Sequence, residues 1–200
     1  MKIIGLTGPS GSGKSEFCEI LAKDGIPCIN ADSVYHKLLV PPSACLDALC
    51  ARFGKDILNS DGTLDRKKLA GIVFAPDAKK ELDDLNGITL KFVIEKIREQ
   101  ISELRSGSTP AVIVDAPTLF ESGFDKECDL IIGLIASKDI RAQRITQRDG
   151  ISYEMATERI NAQKSDDFYT ERCDIVIYND KNRAELVLEA KKVLSVLEAR

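Results

Sequence analysis

The sequence lacks the long apolar runs and the clustered ligands that mark membrane proteins and zinc proteins. Its longest apolar run, residues 130–136, is far shorter than the roughly 20 residues that a membrane-spanning helix needs. The apolar stretch after Lys2 meets Gly5 almost at once, so we expect no secretory signal. The chain has one histidine, and its six cysteines form no Cys-x-x-Cys pair, so the spacing of a zinc site is absent. We expect most of the thiols to be small buried side chains in a reducing cytoplasm.

An excess of charge of one sign is also missing. Lys and Arg number 28 and Asp and Glu 32, which gives a net charge of −4. This near balance argues against a polybasic surface for nucleic acid or for a membrane. Apolar residues make up 44% of the 200 residues, enough to bury the core of one domain or of one domain with an insert. We expect a monomer that binds small molecules, with neither nucleic acid nor membrane as a partner.

Short β-branched runs alternate with helical periodicity along much of the chain. This alternation predicts an α/β fold in which helices cover both faces of a parallel sheet. The five predicted strands are residues 2–7, 27–30, 111–114, 130–135 and 174–178.

The stretch between the second and third strands breaks this rhythm and contains amphipathic helices without a convincing strand. The longest is predicted from Asp77 to about Arg105, where Gly87 could bend or interrupt it. We predict a helical insertion at 41–106 and a short helical lid at 150–172. The nucleotide-binding core would then consist of residues 1–40, 107–149 and 173–200.

Residues 8–15 read G-P-S-G-S-G-K-S and fit the phosphate-binding pattern G-x-x-x-x-G-K-[ST] between a predicted strand and a predicted helix. Glycines let successive N–H groups turn inward toward an anion at the start of a helix. In such loops the lysine reaches the β- and γ-phosphates and the final hydroxyl ligates Mg²⁺. We therefore predict a site for a nucleoside triphosphate with Mg²⁺, formed by Gly8, Pro9, Ser10, Gly11, Ser12, Gly13, Lys14 and Ser15.

Two common classes of P-loop protein fit the sequence poorly. The guanine-reading tetrapeptide N-K-x-D of switch GTPases is absent. The strand at 111–114 leads into Asp115 with no glutamate beside it, although motor-type ATPases usually carry one there to polarise water. The pattern favours phosphoryl transfer to a bound acceptor, with water excluded by a mobile cover.

Asp32 and a row of arginines are the candidate catalytic groups. Asp32 follows the second strand, at the edge where ligands of open α/β sheets bind, and could take a proton from an acceptor hydroxyl. Capping the next helix is the alternative. Arg141, Arg144 and Arg148 fall on one side of a predicted helix and could neutralise charge on the transferred group, or form a solvated basic face.

Taken in order, these motifs resemble the dephospho-CoA kinases, small P-loop kinases that phosphorylate the ribose 3′-hydroxyl of dephospho-CoA. The segments that carry the resemblance are Gly5–Ser15, Ile29–Asp32, Asp115–Glu121, Gln147–Gly150, Arg159–Gln163 and Asp174–Asn179. The resemblance implies a P-loop NTPase-type sheet of five parallel strands with a helical acceptor domain and a lid, using MgATP. It implies that Asp32 is the base and that Asn179 lies near the adenine. We further expect Arg144 and Arg141 over the phosphates, and Ser15 with Asp115 at Mg²⁺.

The departures from the family pattern fall mainly on the acceptor side. His36 replaces an arginine four residues after the expected base, Leu90-Lys91 replaces His-Pro, and Asn30 replaces an aspartate, while the loop carries Pro9-Ser10 in place of the usual residues. The predicted function is transfer of the ATP γ-phosphoryl group to dephospho-CoA, giving coenzyme A. A kinase for a nucleoside or nucleotide, and a non-catalytic nucleotide-binding module, are the alternatives.

Overall fold

A computed structural model describes residues 1–107 and 109–198. Ser108 and residues 199–200, all within the predicted nucleotide-binding core, lie outside the described residues. The strands are β1 (Lys2–Thr7), β2 (Cys28–Asn30), β3 (Ala111–Asp115), β4 (Leu130–Ile135) and β5 (Ile175–Tyr178). They form one sheet in the order β2-β3-β1-β4-β5. The predicted five-stranded sheet is confirmed.

The register of the sheet brings the ends of its strands to one edge. β1 pairs in parallel with β3 and β4, and β4 pairs in parallel with β5. Leu6 lies opposite Asp115, and Ile135 lies opposite Tyr178. Because parallel strands end on the same side, the segments that follow β1, β3 and β5 meet at this edge, where ligands of open α/β sheets bind.

Helices flank the strands and fill the stretch between β2 and β3. They are α1 (Lys14–Lys23), α2 (Ala31–Leu38), α3 (Ala44–Phe53), α4 (Arg66–Val73), α5 (Lys79–Arg105), α6 (Lys138–Asp149), α7 (Tyr153–Asn161), α8 (Asp166–Thr170) and α9 (Arg183–Glu198), with 3₁₀ turns at Lys55–Ile57 and Phe124–Glu127. The prediction that Gly87 could interrupt the long helix is wrong, because α5 runs through it. None of the described helices is both long and apolar enough to cross a membrane.

The chain divides into two compact units, Met1–Ile29 with Glu103–Arg200 and Asn30–Ser102. The second unit begins before residue 41, so α2 belongs to it although the sequence placed α2 in the core. The assignment of acceptor-binding and lid roles to these segments stays a prediction.

Each unit has its own apolar core. In the first unit, strand residues such as Leu6 and Ile132 are fully buried and pack with Phe17 of α1 and Leu186 of α9. In the second unit, Leu49 and the helices around it form a separate cluster, against which the apolar stripe of α5 packs. Burying a side chain of this size contributes about 1.5–3 kcal/mol.

Candidate active site

The loop between β1 and α1 has a backbone shape that requires glycine at two places. Gly8 and Gly13 have φ values of +143° and +100°. A Cβ atom at Gly8 would collide with the carbonyl oxygen of Leu134, and one at Gly13 would collide with the side-chain amide of Asn179. Only glycine tolerates both the positive φ and the close approach. The loop therefore has the turn conformation that the phosphate-binding pattern predicts.

Lys14, the first residue of α1, folds back over this loop. Its ammonium group donates to the carbonyl oxygen of Gly8 at 2.8 Å and to that of Pro9 at 3.3 Å. The positive charge is thus held at the start of the loop, where α1 also presents its positive dipole end. Both charges favour an anion at this place.

The outer carbonyl oxygens of the loop are bound by side chains from later in the chain. Arg144 on α6 donates from Nη1 to the carbonyl oxygens of Gly11 and Ser12, at 3.2 and 3.3 Å. Its Nη2 donates to the carbonyl oxygen of Asn179 at 3.1 Å. Asn179, which follows β5, is buried, and its side-chain amide donates to the carbonyl oxygen of Ser12 at 2.8 Å. Arg144 and Asn179 therefore both hold the outer side of the phosphate loop.

Arg141 is buried beside the same loop, with 2% of its surface exposed. Its Nε donates to the carbonyl oxygen of Ser10 at 2.9 Å, and its Nη2 donates to Oε1 of Gln163 at 2.7 Å. Burial lowers the pKa of the Arg141 guanidinium, and the charge of Asp166, 3.8 Å away, opposes that shift. The alternative that the three arginines form a solvated basic face is therefore wrong for Arg141.

The third arginine of α6, Arg148, is exposed and pairs with Asp149, the residue that connects α6 to α7. Arg148 pairs with Asp149 at 2.7 Å, and Asp149 also pairs with Arg159 of α7 at 2.7 Å. The hydrogen bond from Arg148, aided by the charge of Arg159, holds the pKa of the Asp149 carboxyl below its usual value. Arg148 also approaches Oγ of Ser10, at 3.4 Å.

Ser15 and Asp115 are the predicted magnesium ligands. Ser15 is the second residue of α1, and Asp115 ends β3, the strand beside β1, with 3% of its surface exposed. The described residues contain no group of three or more His, Cys, Asp and Glu side chains arranged for a metal. Nucleotide-bound Mg²⁺ needs only one or two side-chain oxygens because phosphates and water supply the other ligands. A hydroxyl and a carboxylate are oxygen donors of the kind this ion prefers, so the residues fit it.

Asp32, the predicted base, is an exposed residue of α2 in the second unit. The side chain that caps α2 is that of Asn30, whose Oδ1 accepts from the N–H of Ser33 at 2.8 Å. The capping role considered for Asp32 therefore belongs to Asn30. His36 lies one helical turn beyond Asp32, and its Nδ1 is 2.7 Å from Nη2 of Arg66.

Sequence comparison identifies the family to which these features belong. The model of the family described as CoaE, dephospho-CoA kinase, matches residues 2–185. The chain belongs to the dephospho-CoA kinase family. It is therefore a kinase, a transferase that uses ATP as a substrate.

Named relatives of similar length agree with this family. A dephospho-CoA kinase from Fusobacterium nucleatum is 37% identical over 191 residues, covering 95% of each chain. One from Corynebacterium glutamicum is 32% identical over 197 residues and covers 98% of each. The similarity extends over nearly the full length of these dephospho-CoA kinases, rather than over the phosphate loop alone.

Solved structures with a similar fold include a dephospho-CoA kinase. A dephospho-CoA kinase from Campylobacter jejuni has a TM-score of 0.70 and 30% identity, over 96% of this chain and 95% of that one. The structure of TT1252 from Thermus thermophilus has a TM-score of 0.81 and 27% identity, over 98% and 96% of the two chains. A shikimate kinase from Acinetobacter baumannii, at 18% identity and a TM-score of 0.53, shares the fold.

No motif in the sequence predicts a role for Gln163. This residue falls between α7 and α8, and its Oε1 contacts both Arg141 and the N–H of Ser10. The only signal in the sequence was its place at the end of the segment Arg159–Gln163, which follows the pattern of the dephospho-CoA kinases.

Proposed function

We propose that this chain transfers the γ-phosphoryl group of ATP to the ribose 3′-hydroxyl of dephospho-CoA, giving coenzyme A. The observation that carries the proposal is the family match from residue 2 to residue 185, which includes a complete phosphate-binding loop. The departures at His36 and Leu90-Lys91 leave the phosphate loop untouched, so they bear on how the acceptor is held.

The loop from Gly8 to Ser15 would hold the β- and γ-phosphates of ATP through N–H groups of its later residues, because Pro9 has no N–H and the N–H of Ser10 donates to Oε1 of Gln163. Lys14 would exchange the carbonyl oxygens of Gly8 and Pro9 for phosphate oxygens. The geometry supports this exchange, because the ammonium already lies against the loop. A fixed positive charge at the transferred group stabilises the transition state, in which charge spreads over the phosphoryl oxygens.

The arginines of α6 support ATP binding in two ways. Arg144 would extend toward the phosphates from its place beside Gly11 and Ser12. Arg141 is buried and already bound to Ser10 and Gln163, so the contacts favour an indirect role through the loop. Asn179 would lie near the adenine while its side chain holds the loop at Ser12.

Ser15 would hold Mg²⁺ directly, and Asp115 would hold it through water. When bound, the ion would neutralise the charge of the β- and γ-phosphates. The support for this pair is its chemistry and its place, since β1 and β3 are neighbouring parallel strands whose ends share one edge of the sheet.

Asp32 would accept the proton of the 3′-hydroxyl as the phosphoryl group arrives. A carboxylate suits this step because it accepts a proton without needing a further partner. Its exposure on the first turn of α2 leaves the group accessible to an acceptor, and Asn30 rather than Asp32 caps that helix.

We also propose that the enzyme acts as a monomer in the cytoplasm. Six free cysteines, of which Cys18 and Cys45 are buried, support a reducing compartment.

The test is to incubate the protein with MgATP and separate acceptors: dephospho-CoA, nucleosides and nucleoside monophosphates. ADP should form with dephospho-CoA, and the product should carry the new phosphate on its ribose 3′-oxygen. ADP formation with a nucleoside and not with dephospho-CoA would overturn the acceptor. Tight ATP binding with no acceptor-dependent ADP would favour the non-catalytic module instead.

A further inference from the structure

We infer that Gln163 is a positioning residue of the ATP site, which acts with Arg141 to fix both peptide groups of Ser10 and so hold the phosphate loop in its binding shape. The inference rests on the proposed function only in taking ATP as the ligand of the loop. Gln163 lies outside the phosphate loop, and it would influence ATP binding through Ser10 rather than by touching the nucleotide.

Three hydrogen bonds form a closed ring around Ser10. Oε1 of Gln163 accepts from the N–H of Ser10 at 3.1 Å and from Nη2 of Arg141 at 2.7 Å. Nε of Arg141 donates to the carbonyl oxygen of Ser10 at 2.9 Å. Since both partners of Oε1 are donors, only the oxygen of the Gln163 amide can occupy this position.

Breaking this ring of hydrogen bonds should cost free energy because the Arg141 guanidinium in it is buried. Arg141 exposes only 2% of its surface, and a buried charge needs all its hydrogen bonds. Asp166 lies 3.8 Å from the other terminal nitrogen, beyond hydrogen-bond distance. Without the oxygen of Gln163, Nη2 of Arg141 and the N–H of Ser10 would both lose the acceptor seen here.

Ser10 is a place where the loop benefits from being fixed. Ser10 lies between Pro9 and Gly11, and Gly11 has a φ of +80°. Because glycine adopts positive and negative φ with similar ease, the backbone at Gly11 keeps this conformation only if its neighbours are held in place. The peptide groups on both sides of Ser10 precede the loop residues whose N–H groups would hold phosphate under the proposed function. Donors that are held in place before the ligand binds stabilise an anion more than donors that must reorganise.

The position of Gln163 also connects the loop to the segment predicted as a lid. The residue follows α7 and precedes α8, and so lies within residues 150–172. Arg141, the other side chain that binds Ser10, belongs to α6, which precedes α7 in the sequence. One loop residue is thereby bound by two segments that meet only in the folded protein.

The test compares Gln163→Met with Gln163→Glu in the full-length enzyme. Methionine keeps the length of the side chain and removes the acceptor, so the Kd and KM for ATP should rise about tenfold. The KM for dephospho-CoA should stay within about twofold of the wild-type value. Glutamate presents a carboxylate oxygen to the same two donors and should restore most of the lost ATP affinity. Gln143→Met, an exposed position on α6, is the matched control and should behave as wild type.

Three outcomes would overturn the inference. Equal loss in Gln163→Glu and Gln163→Met would mean that the amide nitrogen contacts the nucleotide directly. Unchanged ATP affinity in Gln163→Met would mean that the ring is dispensable. A rise in the KM of both substrates together with a lower melting temperature would indicate a general structural role. Failure of the wild type to phosphorylate dephospho-CoA would overturn the proposed acceptor and leave the comparison of ATP affinities intact.

Discussion

Lys14 brings a positive charge to the start of the phosphate loop, within 2.8 Å of the carbonyl oxygen of Gly8. Replacing it by alanine should lower kcat/KM for ATP by about a thousandfold, because transition-state charge on the phosphoryl oxygens would lose its fixed cation. Coupled detection of ADP measures the effect. Lys23→Ala, at the exposed end of the same helix, serves as control and should leave the rate unchanged. A Lys14→Ala enzyme that kept a tenth of the wild-type value would rule out this role.

Asp32 should affect the chemical step without affecting ATP binding. Asp32→Asn keeps the shape of the side chain and removes the proton acceptor, so kcat should fall by about 10²- to 10⁴-fold. The Kd for ATP should remain within about twofold, since the phosphate loop belongs to the other unit. Asp47→Asn, an exposed aspartate on α3, is the control. Nearly full kcat in Asp32→Asn would show that another group, or none, takes the proton.

Which site residues can be predicted from the sequence depends on how many positions separate the residues that contact each other. The phosphate loop is a contiguous pattern, so its residues are identifiable without coordinates. Gln163 and Ser10 are 153 positions apart, and Arg141 and Ser10 are 131 apart, and no local pattern connects them. The arginines were recognised by their helical spacing, but their burial beside the loop depends on how α6 packs.

At the scale of secondary-structure elements, replacing two glycines, one within a helix and one at a helix end, should change the free energy of unfolding in opposite directions. Gly87 lies within α5 and Gly54 follows α3, and a Cβ at either position would meet no atom within 4 Å. Gly87→Ala should stabilise the protein by about 0.5–1 kcal/mol, because alanine restricts the unfolded chain and suits a helix. Gly54→Ala should destabilise it by about 1 kcal/mol, because its φ is +87°.

Urea unfolding of the full chain measures both changes. The pair isolates backbone conformation, since neither methyl group makes a new contact. Equal effects of the same sign in Gly87→Ala and Gly54→Ala would contradict the difference in φ between the two sites.

The elements that the sequence predicts best are those with a continuous pattern. The predicted bounds of the first and fourth strands, 2–7 and 130–135, are those of β1 and β4. The inner residues of these strands are apolar or glycine, the pattern typical of a sheet covered by helices on both faces. Helix α8 has five residues, too few for a helical period to be visible, and it was not predicted. The grouping of α2 with the second unit follows from tertiary contacts and has no signal in the sequence.

At the scale of the whole molecule, two separately packed cores have a consequence for ligand binding. The first unit is built around the sheet, and the second is built around Leu49 and its neighbouring helices. A ligand stabilises the part of a protein that binds it against local opening. Two substrates that bind to different units should therefore protect different segments of the chain.

Hydrogen exchange followed by mass spectrometry of peptides tests this expectation. A non-hydrolysable ATP analogue with Mg²⁺ should slow exchange around the phosphate loop and α6, while dephospho-CoA should slow exchange in Asn30–Ser102. At a ligand concentration of 100 times Kd the stabilisation is about 2.7 kcal/mol, so amides that exchange by opening of the binding unit should slow about 100-fold. Mg²⁺ alone is the control and should change neither pattern. If dephospho-CoA protected only the first unit, the helical insertion would not be the acceptor-binding part, although the phosphate loop could still bind ATP.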